Sequence, residues 1–98
     1  MMILDPKKAY YLSDEGDVSV IEPANGTDFQ LDEVQPLVDG YIEVISLNDE
    51  QIMILNDEGK FTKPRNQLAT DIAWHNGAIH SRDYICGNVI LCPQDMLL

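Results

Sequence analysis

Residues 41–56, YIEVISLNDEQIMILN, constrain the fold more than any other stretch of the chain. Residues 41–47 are rich in β-branched and aromatic side chains, as strands prefer. Residues 52–55 are apolar throughout, and this short run bordered by turn residues favours a strand buried on both faces over a buried helical segment. Asn48 and Asp49 tolerate the backbone conformations that a tight turn needs. The stretch therefore predicts a β-hairpin.

A second hairpin is predicted near the start of the chain. Residues 8–12 and 18–22 have strand-like composition and flank a turn that contains glycine. The sequence of residues 12–16, LSDEG, returns almost unchanged as LNDEG at residues 55–59. We interpret this echo as one kind of turn chemistry used twice, because Asp starts such turns and Gly supplies a positive φ angle.

A short helix is expected between the two hairpins. Thr27 or Asp28 can cap its beginning, and Gly40 lies where a residue just past a helix is often found. Pro36 must kink or shorten this helix. Its apolar residues fall mostly three and four positions apart and form one stripe: Phe29, Leu31, Val34, Leu37 and Val38.

The last third of the chain predicts a second helix and a final strand. Asn66 can cap a helix over residues 67–75, which Asn76 and Gly77 end. Residues 84–86 are expected to pair locally, and residues 89–92 form a buried strand that Pro93 closes. The order β-β-α-β-β-α-β predicts an α+β fold with a mainly antiparallel sheet of about five strands and two short helices.

The charge of the chain is its strongest compositional signal. The 98 residues, predicted to form one domain over residues 1–98, carry a formal net charge of −11. Between Lys8 and Lys60 there are thirteen acidic residues and no Lys or Arg. A field of this sign disfavours direct binding to nucleic acid or to anionic membranes and favours a basic partner. The apolar runs are also too short to cross a bilayer, so we expect a cytoplasmic protein.

Nine carboxylates are predicted to form an acidic interaction surface, because many of them lie in turns and could gather at one end of the sheet. Rows of carboxylates can imitate nucleic-acid phosphates and occupy a basic groove of another protein. A glycosidase would need a formed cleft between two such groups, which argues against that activity in so small a domain. The nine residues are Asp14, Glu15, Asp17, Asp32, Glu33, Asp49, Glu50, Asp57 and Glu58.

A basic loop is the candidate anion site. Lys60, Lys63 and Arg65 precede Asn66, the predicted start of the second helix. The first amides of a helix lack internal partners and attract anions, so this loop could hold the phosphate of a nucleotide. The P-loop spacing is absent. The alternative is that these cations only offset the acidic body.

Four residues have side chains that could bind a metal, but their spacing gives little indication of a metal site. Cys86 and Cys92 are spaced more widely than paired zinc ligands, and Cys92 lies in an apolar strand pattern. We expect two core thiols and two ordinary histidines, His75 and His80, with neither a metal nor a cofactor. Trp74 lies off the apolar stripe of its helix, where it either covers the edge of the core or marks an interface.

Three parts of the sequence carry a family likeness: residues 37–60, above all Gly-Tyr-Ile-Glu at residues 40–43; Asn66 with the Leu68–Ala69 pair; and residues 85–89, Ile-Cys-Gly-Asn-Val. With them the chain resembles the family called domain of unknown function 3846, over nearly its whole length, from about Lys8 to Cys92. Members of this family occur in bacteria, phages and mobile elements. The resemblance implies a single domain and a phage or prophage origin, and it supplies no catalytic residues.

These observations favour a non-enzymatic binding protein of phage or mobile-element origin. Its acidic surface would dock on a basic surface of a host protein, as a nucleic-acid mimic or an inhibitor of host defence. The alternative is a small-ligand binder that holds a nucleotide or another phosphate at Lys60, Lys63, Arg65 and Asn66. An exposed edge strand could also pair two copies of the chain.

Overall fold

The computed structural model describes residues 4–97. Five strands form one sheet in the order β2-β1-β5-β4-β3, and every neighbouring pair of strands is antiparallel. The predicted α+β fold with five mainly antiparallel strands is therefore confirmed. In chain order the elements are β1 (Ala9–Leu12), β2 (Val18–Ile21), α1 (Leu31–Val38), β3 (Ile42–Ser46), β4 (Gln51–Asn56), α2 (Gly59–Thr62), α3 (Gln67–His75), β5 (Val89–Pro93) and a 3-10 turn (Gln94–Met96).

The predicted central hairpin is real, but it lies at one side of the sheet. Asn48 accepts hydrogen bonds from the amides of Glu50 and Gln51, both 2.9 Å long, which fixes the tight turn. β4 is buried on both faces, as its apolar sequence predicted. The middle of the sheet is β5, which joins β4 to β1. The last strand of the chain therefore ties the two hairpins together.

The sheet is covered on both faces. α1 packs on one face, where Val34 joins Ile54, Ile90 and Cys92 in a buried cluster. α3 packs on the other face, where Ala69 and Ala73 meet residues such as Met53, Leu55 and Leu91 in a second cluster. β2 and β3, at the two sides of the sheet, remain only partly covered.

The first helix differs from its prediction at both ends. It begins at Leu31 rather than after Thr27 or Asp28, and Glu33 accepts a hydrogen bond from the backbone amide of Gln30 that fixes this start. Pro36 lies inside the last turn, where it cannot donate a hydrogen bond to the carbonyl of Asp32, and the helix ends two residues later. The left-handed residue that ends it is Asp39, with φ 60°, rather than Gly40.

The second predicted helix is confirmed with its cap. The side chain of Asn66 accepts a hydrogen bond from the amide of Ala69 at 3.0 Å, and Gly77, with φ 68°, follows the end of α3. The one-turn helix α2 was not predicted. It places Lys60 in a helical turn rather than in the predicted loop. Of the expected pairing of residues 84–86, the structure has one bridge, between Cys86 and Arg65. Across residues 4–97 no helix has the length and apolar character needed to cross a bilayer.

Candidate docking surface around the second helix

The turn of α2 is fixed against the core, and Phe61 projects from it. Gly59 is buried, and the carbonyl oxygen of Cys86 lies so close that a Cβ atom on residue 59 would approach it to 2.8 Å. The amides of Phe61 and Lys63 bond back to the carbonyls of Glu58 and Gly59 at 3.0 and 2.8 Å. Phe61 nevertheless remains 88% exposed. A large apolar side chain is thus held out in solvent on a well-anchored backbone.

Arg65 lies beside two aromatic rings. Its guanidinium carbon is 5.4 Å from the ring centre of Trp74 and 5.3 Å from that of Tyr84, which is within cation–π range. Trp74 is held in turn, because its indole nitrogen donates to the carbonyl of Asp83 at 2.9 Å. Within residues 4–97, Arg65 forms no ion pair. Its charge is therefore positioned by stacking and keeps its side-chain donors for another molecule.

The two lysines of the basic loop are paired with carboxylates. Lys60 forms an ion pair with Asp83 and also lies 5.3 Å from the ring centre of Tyr84, while Lys63 pairs with Asp39. The hydrogen bond from Lys60 raises the pKa of that lysine and lowers the pKa of Asp83. Lys63 lowers the pKa of Asp39 in the same way. An anion bound here would compete with these carboxylates for both lysines.

Asn66 has a structural role. It is 1% exposed, and its side-chain nitrogen donates to the carbonyls of Leu12 and Gly87 at 3.0 and 2.8 Å. With its oxygen accepting from the amide of Ala69, this side chain joins the end of β1, the loop before β5 and the start of α3. The anion site stays a prediction, and Arg65 is the member of the predicted set that lies exposed without a carboxylate partner.

The predicted acidic surface is divided between the two ends of the sheet. β1 and β4 both run antiparallel to β5, so the chain leaves them at the same end, here called the α2 end. The turn between β3 and β4 lies at the opposite end, here called the hairpin end. The expectation that the carboxylates gather at one end was wrong, because the two hairpin turns point in opposite directions. The α2 end holds Asp14, Glu15, Asp17, Asp57 and Glu58, and the hairpin end holds Asp49 and Glu50.

The remaining two predicted carboxylates belong to the first turn of α1. Glu33 accepts hydrogen bonds from the amides of Ala24 and Gln30 at 2.8 and 2.7 Å, so its charge is committed to local structure. Asp32 is exposed beside it. Of the 17 acidic residues, all within residues 4–97, only Asp39 and Asp83 form ion pairs, which leaves fifteen without a cation. The acidic charge is therefore largely uncompensated at both ends.

The cysteines and histidines form no common site. Cys86 and Cys92 are buried and reduced. Burial raises the pKa of both thiols, for Cys92 to about 12, so they remain protonated and unreactive near neutral pH. Over the part of the chain that the structure describes, no three His, Cys, Asp or Glu side chains lie close enough to share a metal ion.

Sequence reasoning missed Phe61 and Tyr84. Phe61 lies between Lys60 and Thr62, in a polar stretch with no helical or strand periodicity. A single aromatic residue in such a stretch was the available sign that its side chain is exposed. Tyr84 joins the surface only because residues 78–86 cross back along α3. We call Phe61, Arg65, Trp74 and Tyr84 the aromatic corner. Aromatic residues and Arg in one exposed group are typical of protein interfaces.

By its architecture the chain is a small three-layer α+β domain with an exposed aromatic corner. Comparison with known families identifies it more closely. The family model described as "Domain of unknown function (DUF3846)" matches residues 2–96. The chain therefore belongs to this family, as the resemblance in residues 37–60 and 85–89 suggested. Neither a curated protein nor a solved structure matches it.

Proposed function

We propose that this protein is a non-enzymatic binding protein that docks its α2 end on a basic surface of a partner protein. In this proposal the chain originates from a phage or mobile element and acts in the cytoplasm of a bacterial host, on a host protein whose nucleic-acid site it blocks. The observation that carries the proposal is Phe61, which is 88% exposed on a turn anchored by Gly59.

The surroundings of Phe61 fit the anatomy of an interface. Energetically dominant interface residues are typically aromatic or Arg, and they bind best when they are preorganised. Phe61 and Arg65 are both held by backbone bonds or by stacking. A partner with an apolar pocket could therefore receive Phe61 without first ordering the backbone that carries it.

Two unpaired carboxylates beside Phe61 favour a basic rim on the partner, because Lys60 and Lys63 are already paired with carboxylates and Arg65 is the one unpaired cation among the described residues of this corner. Asp57 and Glu58 immediately precede α2, are exposed and have no cation partner within residues 4–97. Opposite charges on two surfaces accelerate their encounter and suppress the wrong partners, and salt screens this attraction. Binding is therefore expected to weaken as ionic strength rises.

A photocrosslinking experiment tests the docking surface and captures the partner in the same step. Phe61 is replaced by p-benzoylphenylalanine, with the same replacement at Val20, an apolar residue that is 58% exposed on β2, as the matched control. The expected result is a crosslink to one basic bacterial protein from position 61 and none from position 20. Crosslinks of equal yield from both positions, or none from position 61 in any bacterial host, would contradict the proposal.

Charge reversal then separates the two ends of the sheet. The double variant Asp57→Lys with Glu58→Lys should abolish the crosslink from position 61, because it reverses the charge beside Phe61. The double variant Asp49→Lys with Glu50→Lys makes the same change in net charge at the hairpin end and should leave most of the crosslink. Equal losses in both variants would mean that net charge alone drives association.

Arg65 supports a second candidate function, binding of a phosphate-containing small molecule. A guanidinium held beside two rings is preorganised for bidentate recognition of phosphate, and a nucleotide base could stack on the exposed part of these rings. Calorimetry with inorganic phosphate and a panel of nucleotides tests this. Arg65→Ala should abolish binding, and Arg82→Ala should leave it unchanged. Affinity that survives Arg65→Ala would rule this site out.

A further inference from the structure

The outer edge of β3 has no strand beside it within the part of the chain that the structure describes. β3 bonds to β4 on one side and ends the sheet on the other. Leu47 donates to Gln51 and Asp57 donates to Tyr41, which shows that residues 41 and 47 bond toward β4. Because hydrogen bonding alternates along an antiparallel strand, residues 43 and 45 also bond toward β4. The backbone groups of Ile42, Val44 and Ser46 therefore point outward.

This edge has few of the features with which sheets usually protect themselves. Proline, charged side chains and bulges are the common devices; β3, with the sequence IEVIS, has neither a proline nor a bulge, and its one charged residue is Glu43. Tyr41, just before β3, and Val44, at its centre, are 75% and 42% exposed. Within residues 4–97 no other strand or backbone group bonds to the outward positions of β3. A strand from another molecule can therefore reach them.

We propose that two copies pair antiparallel through β3 around a two-fold axis at Val44. This register places Val44 opposite Val44 and Ile42 opposite Ser46, so all three outward residues bond in both copies. It also places Glu43 opposite Ile45. A register shifted by one pair, centred at residue 43, would set Glu43 against Glu43 and use only two outward residues. Like charges directly opposite each other are destabilising, so the first register is preferred on both counts.

The pairing joins two five-stranded sheets into one of ten strands. Val44 and Ile42 of both copies would then form an apolar stripe on the α1 face. Each copy carries a net charge of −11, so the copies repel at long range and salt strengthens their association. Docking on a basic partner has the opposite salt dependence. The dimer therefore does not rest on the proposed function, and the two can fail separately.

Sedimentation of the full chain tests the pairing. The expected result is a dimer that tightens as salt is raised, and that is lost in Val44→Pro. Proline here removes an outward amide and no bond to β4, so the fold should survive. Val20→Pro is the matched control, because residue 20 points outward from β2 on the opposite edge; it should leave the dimer intact. A monomer at every concentration, or a dimer lost only in Val20→Pro, would overturn the proposal.

Disulfide trapping tests the register even if Val44→Pro fails to fold. Residues directly opposite in a bonded pair have Cα atoms about 5.5 Å apart, a separation that a disulfide spans. Val44→Cys should therefore form a covalent dimer under mild oxidation. Ser46→Cys, on the same edge and face, would hold its thiols about four residues out of step, roughly 14 Å apart. Equal trapping in the two variants, or trapping in Ser46→Cys alone, would overturn the register.

Discussion

Two turns with nearly the same sequence, residues 12–16 and 55–59, adopt different structures. LSDEG closes the β1–β2 hairpin, where the amide of Ser13 donates to the carbonyl of Asp17 at 2.8 Å. LNDEG leaves β4 and leads into α2. The interpretation that the echo is one turn chemistry used twice was wrong. The comparison teaches that a glycine in the same local sequence can be required for two different physical reasons.

In the first turn glycine is needed because the backbone adopts a positive φ angle. In the second turn it is needed because a side chain at that position would not fit. Gly16 has φ 94° and nothing within 4 Å of its missing Cβ. Gly59 has an ordinary φ, but it faces the carbonyl of Cys86. Ser13 and Asn56 occupy matching positions in the two turns, and their side-chain hydrogen bonds also differ. Ser13 bonds locally to the amide of Glu15, whereas Asn56 is buried and reaches across to the end of α1. The second turn is therefore a tertiary junction.

The largest effect is expected from Gly59→Ala. The added Cβ would lie 2.8 Å from a backbone oxygen that cannot move without disturbing β5 and the loop before it. We expect a loss of about 3 kcal/mol in the free energy of unfolding, the cost of overpacking a fixed site. Urea denaturation measures it. If Gly59→Ala lowers the free energy of unfolding by less than Gly16→Ala does, the structure around residue 59 can rearrange to accommodate the added Cβ atom.

Asn56→Ala should be the next most costly change. The side-chain nitrogen of Asn56 donates to the carbonyls of Val38 and Asp39 at 3.1 and 3.0 Å, and its oxygen accepts from the amide of Glu58. Removing these bonds leaves buried backbone groups unpaired, at a cost of about 2 kcal/mol. The matched change in the first turn, Ser13→Ala, should cost about 0.5 kcal/mol because water replaces an exposed bond. Similar losses for the pair would remove the distinction between the turns.

Gly16→Ala should cost about 1 kcal/mol, because an L side chain is strained at positive φ even where space is open. Gly16→Asn is the informative companion variant, since Asn tolerates left-handed conformations better than Ala does. Thermal unfolding should rank glycine first, then asparagine, then alanine at position 16. If alanine proves as stable as glycine, backbone conformation is not what the first turn requires.

The smallest effect is expected at the ion pair that flanks the second turn. Lys63 lowers the pKa of Asp39, so the folded state holds this proton less tightly than the unfolded chain. Its contribution is therefore present above the ordinary pKa of Asp and is lost as pH falls through the lowered value. Asp39→Asn keeps a residue that tolerates φ 60° and should destabilise slightly at neutral pH but not in acid.

Asp17→Asn is the control for that change, because Asp17 has no cation partner in the described residues and loses only repulsion. It should be neutral or slightly stabilising at neutral pH. Denaturation midpoints of both variants at neutral and acidic pH provide the measurement. A loss for Asp39→Asn that persists unchanged in acid would show that the pair with Lys63 does not cause it.

The elements were predictable to the extent that their signals were local. The hairpin at residues 41–56, the helix over residues 67–75 and the cap at Asn66 follow from periodicity and turn residues within a few positions. The start of α1 was missed because Glu33 selects it by bonding back to Gln30, in competition with the better caps Thr27 and Asp28. Of the candidate site, the sequence supplied the cations, while Phe61 and Tyr84 lie outside any periodic pattern.

The sequence by itself determined the five strands, the second helix with its cap, the acidic charge and the family. The tertiary structure alone decided which strand lies in the middle, which ends of the sheet carry the carboxylates, and which cations remain unpaired. The physical reason is range. Secondary structure depends on neighbours a few residues apart, whereas Lys63 meets Asp39 and Gly59 meets Cys86 only because packing brings residues more than twenty positions apart into contact.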